Sequence, residues 1–215
     1  MKCLIVTGGE IIDDFACDVI KNGGYEIIIA VDAGMEFFAR VGVEPDIIVG
    51  DFDSVESSIL EKFREKEYIE MCVLNPVKDE TDTEYAVHEA VRRGADSITI
   101  LGGTGTRLDH VLGNIGLLGI GLDEEIDVEL LDVHNRVRML NKGITLRKKE
   151  QYGKYVSLLP YSPEICGLTI RGMKYNVENV TLKSSEAKGV SNEMVEDEAS
   201  ISFENGVLLL IESRD

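Results

Sequence analysis

The chain has 215 residues, enough for one large or two small domains, and its 44% hydrophobic and 29% charged residues are ordinary for a globular protein. A formal net charge of −18 disfavours nonspecific binding to nucleic acid or to an anionic membrane. The four cysteines show neither zinc-site nor disulfide spacing, and no apolar stretch reaches signal-peptide or transmembrane length, so we expect a cytoplasmic protein with free thiols.

The first part of the chain alternates apolar segments with amphipathic ones. Short apolar runs predict strands at residues 3–6, 26–31, 46–49, 71–74, 97–101 and 127–131. Apolar residues at helical spacing predict helices at about 13–20, 35–41, 55–67, 81–94 and 108–120. In the last helix we expect a buried face made of Val111, Leu112, Ile115 and Leu118. Alternating strands and helices predict a parallel sheet with right-handed crossovers.

After about residue 133 the pattern becomes one of short strands with no long helical period. Strands are predicted at 155–159, 168–171, 177–182 and 199–203. Asn205-Gly206 between two apolar runs is a strong signal for a two-residue hairpin, which would pair 201–203 with 207–209. We therefore predict a parallel-sheet α/β domain at residues 1–133, followed by a small all-β, sandwich-like domain at 134–215.

Each of the unusual loops in the first domain follows a predicted strand. They contain Gly8-Gly9, Asp32-Ala33-Gly34, the segment 51–53, the segment before Asp82, and the segment 102–109. Because the carboxyl ends of parallel strands meet at one edge of a sheet, where open α/β folds bind ligands, we expect the five loops to converge on one cleft.

Asp51 and Asp53 stand two residues apart at the end of the third predicted strand. In an extended loop they would point to the same side, where two carboxylates suit a hard divalent cation such as Mg²⁺. The competing interpretation is a helix start, in which Asp53 or Ser54 caps the helix from Val55.

Two further segments carry candidate ligands. Asp82 follows a lysine, Lys78, and lies next to Thr81, which has capping-box spacing to Glu84, so a capped, acid-rich first turn explains this segment without any ligand. The other interpretation is that Asp51, Asp53 and Asp82 hold Mg²⁺ together at the sheet edge.

The second segment is a glycine-rich loop between a strand and a helix, and its glycines would let backbone N–H groups approach phosphate oxygens. Arg107 at its end suits bidentate phosphate binding, but the spacing matches neither of the common nucleotide motifs. A flexible turn remains the alternative, with Asp109 interacting only with the helix dipole. The residues concerned are Gly102, Gly103, Thr104, Gly105 and Arg107.

Taken together, these motifs resemble the thiamine pyrophosphokinase family. The ordered set comprises Asp32-Ala33-Gly34, Gly50-Asp51-Phe52-Asp53-Ser54, Lys78-Asp79-x-Thr81-Asp82, Gly102-Gly103-x-Gly105-x-Arg107-x-Asp109-His110, Gly172-Met173-Lys174-Tyr175 and Gly189-Val190-Ser191-Asn192-Glu193. The order of the motifs along nearly the whole chain is specific, although none of them is specific alone.

The resemblance implies that the pyrophosphoryl group of ATP is transferred to the hydroxyl of thiamine, releasing AMP, with Mg²⁺ as the cofactor. It implies metal ligation by Asp51, Asp53 and Asp82, which with Asp109 form the catalytic set. It implies nucleotide binding by Asp32, Lys78, Gly102, Gly103, Thr104, Gly105 and Arg107, and thiamine binding by Ser191 and Asn192. It further implies a homodimer with a shared site. The chain has no tryptophan, so Tyr175 or another aromatic residue would have to stack on thiamine.

Two other functions are compatible with parts of the pattern. A phosphohydrolase of the haloacid dehalogenase type uses an Asp-x-Asp motif, but on the first strand of its core, whereas Asp51 follows the third predicted strand. A non-catalytic sensor of nucleotide or thiamine would not need three carboxylates facing a triphosphate.

Overall fold

The computed structural model describes residues 1–53, 55–105 and 107–215. The chain divides into two compact units, Met1–Val133 and His134–Asp215. The fold class predicted from the sequence is confirmed, since the first unit is a parallel α/β fold and the second is made of antiparallel sheets. None of the helices in the described ranges combines the length and the apolar character that crossing a bilayer requires.

The first unit is built on a parallel sheet whose strands lie in the order β6-β5-β1-β2-β3-β4. The strand bounds are β1 Lys2–Val6, β2 Ile27–Val31, β3 Ile47–Gly50, β4 Glu70–Val73, β5 Ser97–Leu101 and β6 Asp127–Leu131. The chain leaves β1 towards β2, β3 and β4, and then returns to the other side of β1 to form β5 and β6. The strand order therefore reverses between β1 and β5, which is the switch point where open sheets leave a crevice.

The central strands are mostly apolar, which is typical of parallel sheets covered by helices on both faces. Leu4 and Ile5 are 0% exposed, although their side chains point to opposite faces. The helix bounds are α1 Asp13–Gly23, α2 Gly34–Val41, α3 Ser57–Arg64, α4 Asp82–Arg92 and α5 Leu108–Asp123. Helix α4 packs on β1, β2 and β3, whereas α5 packs on β6 and on α4.

Helix α5 departs from the predicted burial pattern. Leu118 is buried, as expected, but Leu112 is 66% exposed, so its assignment to the buried face was wrong. This helix is apolar over most of its surface, and helical spacing alone cannot select the face that packs against the sheet.

The second unit contains two antiparallel sheets that share one core. The strands are β7 Asn135–Leu140, β8 Ile144–Arg147, β9 Tyr155–Pro160, β10 Glu164–Arg171, β11 Val177–Lys183, β12 Asn192–Glu193, β13 Glu198–Ser202 and β14 Leu208–Ser213. One sheet has the order β12-β9-β14-β7 and the other β11-β10-β13-β8. Buried side chains from both sheets, such as Leu158 of β9 and Ile201 of β13, belong to the same hydrophobic cluster, which makes this unit a sandwich.

The predicted hairpin at Asn205-Gly206 was wrong. Strand β13 pairs with β8 and β10, whereas β14 pairs with β7 and β9, so the turn carries the chain from one sheet to the other. Ser162 stabilises the turn, since its Oγ accepts a hydrogen bond from the Val207 N–H at 2.9 Å. Leu208 and Leu210 are fully buried, and their burial between the two sheets outweighs the local hairpin preference.

Candidate functional site

A cleft of about 570 Å³ lies in the first unit at the switch point between β1 and β5. Its walls come from the loops after β1, β2 and β5, from the start of α4 and from the first turns of α5. Four of the five loops expected to converge therefore line the cleft: those with Gly8-Gly9, with Asp32, with Asp82, and with the glycine-rich segment. The loop with Asp51 and Asp53 is not part of the lining.

The loops after β1 and β5 are joined through their main chains. The Gly9 N–H donates to the Gly102 carbonyl at 2.9 Å, and the Glu10 N–H donates to the Thr104 carbonyl at 3.0 Å. A Cβ atom on Gly9 would lie 2.2 Å from both carbonyl oxygens, so only glycine permits this approach. The glycine-rich loop is therefore held in place by main-chain bonds, which distinguishes it from a loose turn.

Side chains fix the same loop from its other side. Asn114 on α5 donates from Nδ2 to the Gly103 carbonyl at 2.9 Å, and the Thr104 hydroxyl donates to Asp132 Oδ2 at 2.9 Å. Within the cleft lining, the hydroxyls of Thr7 and Thr83 are 3.0 Å apart and share a hydrogen bond. None of Asn114, Thr7 and Thr83 was singled out from the sequence, because each is an ordinary polar residue whose partner is distant along the chain.

Arg107 and Asp109 lie at the mouth of the cleft. Both are largely exposed, and the guanidinium binds the carboxylate through two hydrogen bonds of 2.5 and 3.2 Å. The Arg107 guanidinium holds the pKa of Asp109 below its ordinary value. In this conformation the arginine that was predicted to bind phosphate is paired with the neighbouring carboxylate instead.

Asp32 is the most perturbed acid of the cleft. Its backbone is left-handed, with a φ of 46°, and a Cβ on Gly50 would lie 2.0 Å from its Oδ1 atom. The pKa of Asp32 is raised to about 7, and burial is the largest cause. A hydrogen bond shared with Asp82 and the negative charges of Asp82 and Asp51 raise it further. Its Oδ1 is buried and has no hydrogen-bond partner among the residues that the structure describes.

The loop with Asp51 and Asp53 is turned rather than extended. Phe52 has a φ of 64° and is buried, and the Asp53 N–H donates to Asp51 Oδ1 at 3.0 Å. The expectation of an extended loop was therefore wrong, because an Asx-type turn bends the chain after β3. Asp53 does not cap α3 either, since that helix begins at Ser57 after Glu56. The alternative cap, Ser54, lies outside the described residues.

At the start of α4, the predicted capping box is present. The Thr81 hydroxyl accepts from the Glu84 N–H at 3.1 Å, and the Glu84 carboxylate accepts from the Thr81 N–H at 3.4 Å. The same turn also carries an ion pair, in which Lys78 Nζ lies 2.6 Å from Asp82 Oδ1. The capped helix start and the charged cleft wall are thus two properties of a single segment.

The donor set fits a hard divalent cation in its chemistry. Carboxylate oxygens are the ligands that Mg²⁺ prefers, and the buried, unpartnered Oδ1 of Asp32 lies beside two further acids, Asp51 and Asp82. Across the described ranges, however, no three His, Cys, Asp or Glu side chains form a ready-made metal-binding group. The acids approach one another without surrounding a common point, and Asp82 is occupied by the Lys78 ammonium.

In the second unit, Asn192 is buried and its side chain is bound to main chain. Its Oδ1 accepts from the N–H groups of Tyr175 at 3.0 Å and Glu193 at 2.9 Å, and its Nδ2 donates to the Tyr175 carbonyl at 2.9 Å. Ser191 is exposed, has a φ of 59°, and donates its N–H to the Ser157 hydroxyl at 3.0 Å. Asn192 therefore fixes the segment that carries Tyr175, whose side chain is 60% exposed.

Comparison with known proteins agrees with both units. Residues 22–130 match the family model described as "Thiamin pyrophosphokinase, catalytic domain", and residues 143–208 match "Thiamin pyrophosphokinase, vitamin B1 binding domain". Thiamine pyrophosphokinase from Bacillus subtilis is 34% identical over 187 residues, which is 87% of each chain.

Solved structures give the same result. The chain superposes on the crystal structure of thiamine pyrophosphokinase from Bacillus subtilis with a TM-score of 0.89 and 31% identity, covering 100% of both chains. The thiamin pyrophosphokinase of Geobacillus thermodenitrificans gives a TM-score of 0.85 at 28% identity, covering 100% of this chain and 98% of that one.

An open α/β unit with a glycine-lined cleft at its switch point, followed by a β-sandwich, defines a two-unit ligand-binding architecture. The matches to both units then show that the chain belongs to the thiamine pyrophosphokinase family. The resemblance stated from the sequence is thereby confirmed, and with it the enzyme class, a thiamine diphosphokinase.

Proposed function

We propose that the chain transfers the pyrophosphoryl group of ATP to the hydroxyl of thiamine, giving thiamine diphosphate and AMP, in a reaction that depends on Mg²⁺. The observation that carries the proposal is the cleft at the switch point, where a main-chain-fixed glycine loop faces the acids at the start of α4. Pyrophosphoryl transfer needs positioning and charge neutralisation more than covalent chemistry, and this cleft offers groups for both.

The nucleotide is assigned to the cleft of the first unit. Gly102, Gly103, Thr104 and Gly105 form the wall that approaches the phosphates, and the Asn114 and Asp132 side chains hold that wall in shape. Arg107 lies at the mouth on a flexible stem, and a phosphate oxygen would compete with Asp109 for its guanidinium.

Asp51, Asp53 and Asp82 are the residues that would hold Mg²⁺, with Asp32 beside them. When bound, the ion would neutralise the charge of the triphosphate and orient it for transfer. The remaining task is to accept the proton of the attacking hydroxyl. Asp32 and Asp109 are the candidates on the cleft wall.

Thiamine is assigned to the second unit, with Ser191 and Asn192 as the predicted binding residues. The bonding of Asn192 favours an indirect contribution, in which it holds the exposed ring of Tyr175 in a position to stack on the ligand. We further propose a cytoplasmic homodimer in which the second unit of one copy completes the site of the other.

The test is a direct product analysis. The purified protein is incubated with thiamine, ATP and Mg²⁺, and nucleotides and thiamine esters are separated by chromatography. Equal amounts of AMP and thiamine diphosphate are expected. ADP or free phosphate in place of AMP would refute pyrophosphoryl transfer and indicate a kinase or a hydrolase, and the absence of any product with thiamine would refute the assigned acceptor.

A further inference from the structure

The Lys78–Asp82 ion pair is poorly accessible to solvent. The two side chains are 17% and 19% exposed, and the ammonium lies 2.6 Å from Asp82 Oδ1. Lys78 precedes the N-cap Thr81, so the main chain at Lys78 is not held by helical hydrogen bonds. The long aliphatic side chain of lysine lets the charged group move.

Charge around this pair is not balanced. Asp82 and Asp51 both act on Asp32 as negative charges, and Lys78 is the cation that opposes them there. The ammonium binds Asp82, whereas the buried Oδ1 of Asp32 has no hydrogen-bond partner in the described part of the chain. Lys78 therefore supplies one positive charge against the negative charges of Asp82, Asp51 and Asp32, which leaves enough negative charge to attract a divalent ion.

A metal ion and the ammonium cannot both occupy the Asp82 Oδ1 atom. Mg²⁺ binds carboxylate oxygens at about 2.0 to 2.1 Å in a nearly ideal octahedron, which leaves no room for a nitrogen 2.6 Å from the same oxygen on the same side. An ion that took Oδ1 on that side would displace Lys78 from this oxygen, and the displaced lysine would need a new anionic partner.

We propose that Lys78 is an exchangeable counter-ion: it neutralises Asp82 in the metal-free protein and moves to the nucleotide phosphates when the divalent ion takes its place. This inference rests on the proposed metal-dependent function. It predicts that metal alone binds weakly, since the released ammonium finds no partner, and that metal and nucleotide strengthen each other's binding.

The experiment measures Mn²⁺ binding to the full chain by electron paramagnetic resonance of the free ion and by calorimetry, first without nucleotide and then with a non-hydrolysable ATP analogue. Lys78→Met leaves the carboxylates uncompensated, so Mn²⁺ alone is expected to bind about tenfold more tightly than to the wild type. In Lys78→Met, the gain in Mn²⁺ affinity on adding a non-hydrolysable ATP analogue is expected to be smaller. Lys78→Gln serves as a second variant if the methionine variant does not fold.

Lys66→Met is the matched control, because Lys66 is also paired with a carboxylate, that of Glu44, and its loss changes the net charge equally but outside the cleft. The proposal is overturned if both Lys78 variants bind Mn²⁺ no more tightly than the wild type, or if Lys66→Met gains as much. Failure of the proposed function would appear differently, as an absence of AMP and thiamine diphosphate in the product analysis. Metal affinity in the Lys78 variants is measured without either substrate.

Discussion

Replacing Asp32 by asparagine is expected to stabilise the metal-free protein while impairing its activity. Folding raises the pKa of Asp32 to about 7 from an ordinary value of 3.8, so the folded state holds this proton more tightly than the unfolded state does. The charged form is thus penalised in the folded protein. The penalty is absent below about pH 4, grows as the pH rises through the interval between the two pKa values, and is complete above about pH 7.

The size of this stabilisation follows from the difference between the pKa values of Asp32 in the folded and unfolded states. A difference of about 3 in pKa corresponds to about 4 kcal/mol, but Asp32 is only half-buried and solvent screens its charge, so we expect about 1 to 2 kcal/mol. Asparagine removes the charge, can donate a hydrogen bond to Asp82, and tolerates the left-handed backbone at this position. For a chain of this length the melting temperature should rise by about 2 to 8 °C at pH 8.

The assay is thermal unfolding followed by circular dichroism in EDTA, for wild type and Asp32→Asn between pH 5 and pH 8. The gain in melting temperature of Asp32→Asn over wild type should be largest at pH 8 and at most about half as large at pH 5. Asp13→Asn is the control. Arg40 lowers the pKa of Asp13, so removing this carboxylate should not stabilise the protein. A variant no more stable than wild type at pH 8, or a gain that does not change with pH, would refute the reasoning.

Three further predictions concern the two units separately. Asp53→Asn should abolish turnover without changing the melting temperature, since the side chain is exposed; unimpaired turnover would contradict the metal assignment. Gly9→Ala should lower both stability and nucleotide affinity, because its Cβ would meet two carbonyl oxygens at 2.2 Å, and normal nucleotide binding in calorimetry would show that the loops need no such contact. Asn192→Ala should raise the KM for thiamine more than that for ATP and cost about 1 to 3 kcal/mol of stability through the main-chain groups left unbonded. An equal rise in both KM values would argue against a thiamine site near Tyr175.

Local patterns predicted the secondary structure of the first unit well. Buried parallel strands appear as continuous apolar runs, and β5 and β6 have the predicted bounds. The capping box of Thr81 and Glu84 is set within four residues of chain, so its spacing is sufficient evidence for the start of α4.

Errors arose where a local preference competed with distant contacts. Asn205-Gly206 favours a hairpin, but the burial of Leu208 and Leu210 decided which strands would pair. The loop after β3 bends because Asp51 accepts a hydrogen bond from the Asp53 N–H. The alternating side-chain directions of an extended chain do not predict this turn.

The sequence by itself determined the order of strands and helices, the division into an α/β part and an all-β part, and the family. The elements and the division depend on residue type and spacing over short stretches, and the family depends on the order of several motifs along the chain. Only the tertiary structure decided that Lys78 forms an ion pair with Asp82 and that Asp82 and Asp51 both raise the pKa of Asp32. It also decided that the Asn192 side chain is hydrogen-bonded to the main chain of Tyr175. Lys78 and Asp82 are only four residues apart, but the other pairs join groups distant in the chain, and the burial and distances that set all of these interactions exist only once the chain has folded.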